Sequence, residues 1–241
     1  MEIVDENGNV CKDREQVKTK WMNAFKELFN PETNTNIDTA HAPNIPHVDA
    51  ADIDELNMDI SFQEITDALR KAKTGKAIGF DELPIEVFKN PVCINFMLYL
   101  FNTCFTTGHI PDQWGCGIIS PLLKDRTKDI RIPANHRGIT VTPAMYKLFC
   151  CILNNRLTKF MHSNNLIVEE QNGFRKGRST VDHLATLTNI IETRKSQKRC
   201  TYAAFIDFSK AYDRVNRGFL WTKIESMGVC GKMLNCVKGL Y

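Results

Sequence analysis

The sequence lacks the features that mark several classes of protein. Its longest apolar stretch, residues 92–105, is interrupted by Asn95 and Asn102, and so falls short of the roughly 18 to 20 residues that cross a bilayer. The first thirty residues lack a basic start followed by an apolar block, so we expect no secretion signal. Gly (13) and Pro (9) are too few among 241 residues for a fibrous or disordered chain. We therefore expect a folded intracellular protein with no membrane span and a sizeable core.

Paired cysteines are also missing. The nine cysteines are an odd number, and no two of them have C-x-x-C spacing. This scatter favours reduced thiols over a disulfide framework, and it gives poor support to a zinc site.

Charge is distributed unevenly along the chain. Residues 1–123 carry 10 Lys and Arg against 19 Asp and Glu, a net charge of −9, whereas residues 124–217 carry 18 against 8, a net charge of +10. A cationic surplus of this size attracts polyanions and makes nucleic acid the leading partner class. A solvated basic surface explains the charge alone equally well.

The apolar spacing predicts a helix-rich α+β protein. Two β-branched runs, 117–124 and 138–142, are separated by a charged tip and predict a small antiparallel hairpin. Residues 30–57 have few large apolar side chains and predict a linker or a loosely packed lead-in. Helices are predicted over 17–29, after the capping box of Ser61 and Glu64, over 92–107, after Pro143, after Ser179, after Asn216 and from Lys232.

One carboxylate interrupts an apolar run. Residues 202–208 have the length and composition of a buried strand, and Asp207 lies within it. A buried carboxylate costs several kcal/mol unless it is protonated, paired or bound to a metal. Two explanations fit the residues. Asp207 is either a ligand of a divalent cation in a phosphoryl-transfer site, or it caps the next helix or pairs with Lys210.

The residues around Asp207 favour the first explanation. The string AFIDFSKAYDRV, residues 204–215, closely resembles the first catalytic palm motif of reverse transcriptases, in the variant carried by LINE-type (non-LTR) retrotransposons. The resemblance implies that Asp207 is catalytic and binds the metal, and that Phe208 and Tyr212 bind the nucleotide. Tyr212 would pack under the sugar and exclude a 2′-hydroxyl group, while Asp213 would have a structural role.

Other segments resemble the same family in the family's order. Residues 76–88 resemble its opening fingers motif, and residues 114–124 and 135–141 resemble its outgoing and returning fingers strands. The resemblance implies that Lys124 and Arg137 contact the triphosphate, as a flexible ammonium and a forked guanidinium can.

The stretch QNGFRKGRST, residues 171–180, resembles the family's loop that follows template and nucleotide. This resemblance implies a nucleic-acid-binding role for Gln171, Phe174, Arg175 and Arg178. Glycines allow the backbone to approach phosphates, and Phe174 between cations can stack on a base. A basic loop that caps the next helix explains Ser179 and Thr180 but not the spacing of the loop.

The resemblance implies a right-hand polymerase fold with a lead-in over residues 1–57, fingers and the start of the palm over 58–200, and a partial palm over 201–241. The activity implied is nucleotidyl transfer from dNTPs to a primer 3′-hydroxyl, with two Mg²⁺ ions, or Mn²⁺ in their place. The implied partners are an RNA template and a DNA primer, with no obligate protein partner and no membrane. The family implies a location in the cytoplasm and nucleus.

One family feature is missing from these 241 residues. Two-metal catalysis needs carboxylates from more than one strand, which the family supplies from an aromatic-x-Asp-Asp turn, and the sequence contains no Asp-Asp pair. We therefore expect a polymerase fragment that is inactive by itself. The alternative is a non-catalytic nucleic-acid-binding remnant of such an element.

Overall fold

The computed structural model of the protein describes residues 2–4, 8–29, 48–208, 211–212 and 215–241. Within these ranges the strands form two antiparallel hairpins: β1 (Ile3–Val4) with β2 (Val10–Cys11), and β3 (Ile118–Leu123) with β4 (His136–Val141). The helices are α1 (Arg14–Phe29), α2 (Ala50–Asn57), α3 (Phe62–Lys71), α4 (Ile85–Phe88), α5 (Pro91–Thr107), α6 (Ala144–Ser163), α7 (Thr180–Ser196), α8 (Arg217–Ser226) and α9 (Gly231–Gly239). This content agrees with the predicted α+β class and with the predicted hairpin.

The core lies where α3, α6 and α9 pack around α5. Helix α5 carries no charged residue, and its Met97, Phe101 and Phe105 side chains have no measurable exposure. Phe149 of α6 lies 5.1 Å from Phe101 between ring centroids, and Met233 of α9 is fully buried. No helix in the described part of the chain is both long enough and apolar enough to cross a membrane.

Local signals set the predicted helix starts. The Ser61 hydroxyl accepts from the Glu64 N–H (3.2 Å), and the Glu64 carboxylate accepts from the Ser61 N–H (2.8 Å), which completes the capping box. Ser179 and Asp182 form the same arrangement at the start of α7. Gly108 ends α5 with φ of 69°, a left-handed conformation that glycine adopts at little cost.

Helix α2 was not predicted. The linker expected over residues 30–57 is wrong for residues 50–57, which pack onto α6 and α9 and bury Leu56. The Asn57 carboxamide oxygen accepts from the Met233 N–H (3.0 Å), which ties α2 to α9. Residues 30–47 lie outside the described part of the chain, and the predicted boundaries at 57 and 200 stay predictions.

The predicted palm strand is wrong. Residues 201–208 have no regular secondary structure, and Tyr202, Phe205 and Ile206 are more than four-fifths exposed. Helix α7 forms as predicted, but none of its residues is buried, and Val181 and Leu184 face solvent. The strand prediction rested on the apolar composition of the segment. A strand also needs a neighbouring strand, because its backbone N–H and C=O groups must find hydrogen-bond partners. No described strand pairs with residues 201–208.

Candidate nucleotide and nucleic-acid site

The hairpin β3–β4 carries both cations predicted to contact a triphosphate. Lys124 directly follows β3, and its N–H donates to the Asn135 carbonyl (2.9 Å). The Lys124 ammonium donates to the Ala134 carbonyl (2.7 Å), so the loop between the two strands holds it in place. Arg137 lies in β4 opposite Leu122, and its side chain is exposed. The hairpin therefore presents one tethered cation and one exposed cation.

Arg175 is built into the loop over residues 168–178. One terminal nitrogen of its guanidinium donates to the carbonyls of Val168 (3.2 Å), Glu169 (3.4 Å) and Gln171 (3.3 Å), and its side chain is only 13% exposed. Gln171 completes the loop by donating to the Gly173 carbonyl (3.4 Å). Arg175 and Gln171 thus hold the loop's own backbone in this structure.

A carboxylate that was not singled out in the sequence neutralises this loop. Glu169 forms ion pairs with both Arg175 (3.4 Å) and Arg178. The Glu169 side chain is 71% exposed, so the pairs lie at the surface, where water and salt weaken them. Glu169 lies six residues before Arg175 and nine before Arg178, and neither spacing follows from a regular helix or strand. The sequence therefore gave no signal for this pairing.

Phe174 projects from the tip of the same loop. Its φ of 61° is uncommon for a residue with a large side chain, and the residue is 92% exposed. Its ring meets the Tyr212 ring edge to face, with centroids 6.0 Å apart and an interplanar angle of 88°. The loop predicted to follow the template is thus in contact with the residue predicted to lie under the sugar.

Asp207 is exposed rather than buried, which corrects the desolvation argument made from the sequence. It forms no hydrogen bond or ion pair with another described residue, and the neighbouring Phe208 is 76% exposed. The alternative partner Lys210 and the predicted structural residue Asp213 both lie outside the described residues. No hydrogen bond or ion pair within the described ranges joins Asp207 to Lys124 or Arg137.

The described residues do not form a metal site by themselves. They contain no group of three or more His, Cys, Asp or Glu side chains close enough to hold an ion. Asp207 by itself fits a hard divalent cation, since an exposed carboxylate is the oxygen donor that Mg²⁺ prefers and keeps room for water ligands. Asp207 could therefore serve as one ligand of such an ion, with the other ligands supplied by other groups.

Exposed aromatic rings (Phe174, Tyr212 and Phe208) and an exposed carboxylate (Asp207) thus lie in the part of the chain that carries the basic surplus, a combination typical of nucleic-acid-binding proteins. Residues 124–241 match the model of the family described as reverse transcriptase (RNA-dependent DNA polymerase). This stretch of the chain belongs to the reverse transcriptase family, and the resemblance seen in the motifs is confirmed.

Several curated relatives are similar to this chain. The probable RNA-directed DNA polymerase from transposon X-element of Drosophila melanogaster is 26% identical over 225 residues, which are 92% of this chain and 25% of the relative. The corresponding protein of transposon BS from the same organism is 29% identical over 70% of this chain and 19% of the relative. The RNA-directed DNA polymerase from mobile element jockey, also of D. melanogaster, is 23% identical over 65% of this chain. The chain thus spans about a quarter or less of the first two relatives.

Proposed function

We propose that this chain supplies the fingers and the beginning of the palm of an RNA-directed DNA polymerase from a LINE-type non-LTR retrotransposon. The observation that carries the proposal is the family match, which begins at Lys124 and includes every predicted site residue up to Tyr212. The polymerase would transfer nucleotides from dNTPs to a primer 3′-hydroxyl on an RNA template. We place it in the cytoplasm and nucleus, where such an element would act.

The hairpin residues would hold the nucleotide's triphosphate. Arg137 is exposed on β4, and a guanidinium can donate two parallel hydrogen bonds to phosphate oxygens. Lys124 would contribute a point charge after exchanging its Ala134 carbonyl partner for a phosphate. Because a phosphate carries full negative charge and a carbonyl does not, this exchange favours the bound nucleotide.

Tyr212 and Phe208 would form the surface beneath the nucleotide's sugar. The Tyr212 ring contacts Phe174 edge to face, and this contact would restrict the ring before a nucleotide binds. A ring held against C2′ leaves no room for an added oxygen, which favours deoxynucleotides. Phe174 and Arg178 would contact single-stranded template by stacking and by charge.

Asp207 would bind one of the divalent cations. When bound, such ions offset the charge on the phosphates and stabilise the attacking and leaving oxygens. Asp207 itself contributes a carboxylate that is exposed and has no partner among the described residues. Asp207 directly precedes Phe208 and is five residues before Tyr212 in the sequence. The bound ion would therefore lie next to the residues proposed to contact the sugar.

Photo-crosslinking of radiolabelled 4-thiothymidine triphosphate to the chain tests this proposal. We expect crosslinking that increases with Mg²⁺, and we expect Asp207→Asn to abolish the Mg²⁺ dependence while preserving size and shape. The matched control is Asp54→Asn, which removes an exposed carboxylate from α2 and should leave the Mg²⁺ dependence unchanged. Equal Mg²⁺ dependence in both variants would contradict the role of Asp207.

A further inference from the structure

Helix α1 contacts the residues on both sides of Arg137. The Trp21 ring meets the His136 ring edge to face at 4.9 Å between centroids. Phe25 lies against Gly138 so closely that a Cβ atom placed there would be 2.8 Å from the Phe25 Cε1 atom. Arg137, which is predicted to contact the triphosphate, thus lies between two residues that α1 contacts.

The strand geometry places α1 and the Arg137 side chain on opposite faces of the hairpin. Side chains alternate along a strand, so His136 and Gly138 point to one face and Arg137 to the other. The exposure follows this alternation, with His136 buried at 7% and Arg137 exposed. Helix α1 therefore covers the back of the hairpin and leaves the cationic face open.

The hairpin needs this support, because two paired strands are marginally stable by themselves. None of the residues of β3 or β4 belongs to the main core among the described ranges. Ile3 and Val17 are buried outside that core, and the Val4 N–H donates to the Arg131 carbonyl (3.0 Å) near the start of β4. The segment before residue 30 thus has buried residues of its own and is bonded to the loop that leads into β4.

We propose that α1 is a brace that fixes the hairpin in the orientation that presents Arg137 to a nucleotide triphosphate. Trp21 and Phe25 are positioning residues that act through His136 and Gly138. This inference rests on the proposed function for the identity of the ligand. The contacts that carry it do not depend on that identity.

The test combines amide hydrogen exchange with the triphosphate crosslinking assay. In the double variant Trp21→Ala/Phe25→Ala, we expect exchange in peptides covering β4 to rise at least about tenfold and crosslinking to fall at least about fivefold. The matched control is Asn23→Ala, a truncation at an exposed position of the same helix between Trp21 and Phe25, which should change both readouts less than about twofold. Circular dichroism confirms that the helices remain.

A second variant approaches the same contact from the hairpin. Gly138→Ala should push Phe25 away and raise exchange in β4, even if the double variant fails to fold. Unchanged exchange in both variants would overturn the brace. Faster exchange in β4 with unchanged crosslinking would show that Trp21 and Phe25 stabilise the hairpin but do not position Arg137.

The variant Arg137→Ala separates this inference from the proposed function. If it crosslinks as well as the unchanged chain, the proposed role of Arg137 fails, and with it the positioning of that residue for a triphosphate. Exchange in β4 then still decides whether α1 supports the hairpin. Loss of crosslinking in both Arg137→Ala and the double variant supports the two proposals together.

Discussion

Phe174 and Tyr212, which are 38 positions apart in the chain, meet edge to face with their ring centroids 6.0 Å apart. The contact joins the loop over 168–178 to the segment that carries Asp207. Both rings are otherwise largely exposed, so each is the other's ring contact among the described residues.

We expect the two segments to loosen together. Phe174→Ala should speed amide exchange around Tyr212, and Tyr212→Ala should speed it in residues 171–178, because each ring loses its partner. Phe205→Ala serves as the control, since that ring is 86% exposed and stacks on no ring in the described part of the chain. Independent responses of the two segments would show that the contact does not couple them.

Removal of the Glu169 charge should strengthen RNA binding. The substitution Glu169→Gln releases Arg175 and Arg178 from their ion pairs and leaves more cationic charge for phosphates. Binding of single-stranded RNA, measured by fluorescence anisotropy over a range of salt, should tighten, and the slope of log K against log salt should steepen by about one. Glu170→Gln removes the same charge from the adjacent exposed residue. If both variants bound RNA more tightly by the same factor, the gain would come from net charge and not from the release of Arg175 and Arg178.

Arg156 joins the segment after α2 to helix α3. Its guanidinium donates to both carboxylate oxygens of Glu64 and to the backbone carbonyls of Met58 and Asp59, and it lies 5.2 Å from the Phe105 ring centroid. The Arg156 side chain is 11% exposed and that of Glu64 is 31% exposed, so the loss of the guanidinium leaves a partly buried carboxylate without its partner.

We expect Arg156→Met to lower the free energy of unfolding by about 2–3 kcal/mol in urea titrations, since Met keeps the apolar stem but none of the donors. Lys159→Met is the control. Its exposed pair with Glu55 should contribute no more than about 1 kcal/mol. A smaller loss for Arg156 than for Lys159 would contradict this account of the network.

The same network predicts acid sensitivity. Burial raises the pKa of the Glu64 carboxyl, but hydrogen bonds from Arg156 and Ser61 outweigh burial, and the pKa lies below its usual value of 4.5. A carboxyl with a lowered folded-state pKa stabilises the fold when ionised. Its contribution is therefore fully present above the usual value and is lost as the pH falls through the lowered one. Urea midpoints between about pH 6 and about pH 3 should fall less steeply for Glu64→Gln than for the unchanged chain.

A polypeptide limited to these 241 residues should not extend a DNA primer. Asp207 is the carboxylate of the first palm motif, and no Asp-Asp pair is present in the sequence to complete a two-ion site. The assay is primer extension on an RNA template with dNTPs and Mg²⁺. Robust synthesis would refute the requirement for carboxylates from a second strand.

Features set by neighbouring residues were predictable from the sequence. Ser61 and Glu64 lie three residues apart, so their reciprocal hydrogen bonds follow from local spacing, and the apolar face of α6 with Phe149 and Ile152 follows from helical periodicity. The motif around Asp207 resembles the family in consecutive residues, and the family match over residues 124–241 includes it.

Features that depend on distant partners were not predictable. Residues 202–208 have the composition of a strand but find no neighbouring strand among the described residues. The partners of Arg175 are loop carbonyls and Glu169, and composition cannot distinguish such an arginine from one that faces a ligand. The packing of α1 on Gly138 likewise joins residues more than a hundred positions apart.

The packing of α9 against α5 has a consequence for synthesis on the ribosome. Helix α9 contributes Met233 and Cys236 to the interior beside α5, and Gly239 lies so close to Gly108 that a Cβ atom there would be 2.3 Å from the Gly108 oxygen. The apolar surface of α5 that α9 covers stays open to water until α9 has left the exit tunnel. Nascent chains that stall earlier therefore display that surface to chaperones and to one another.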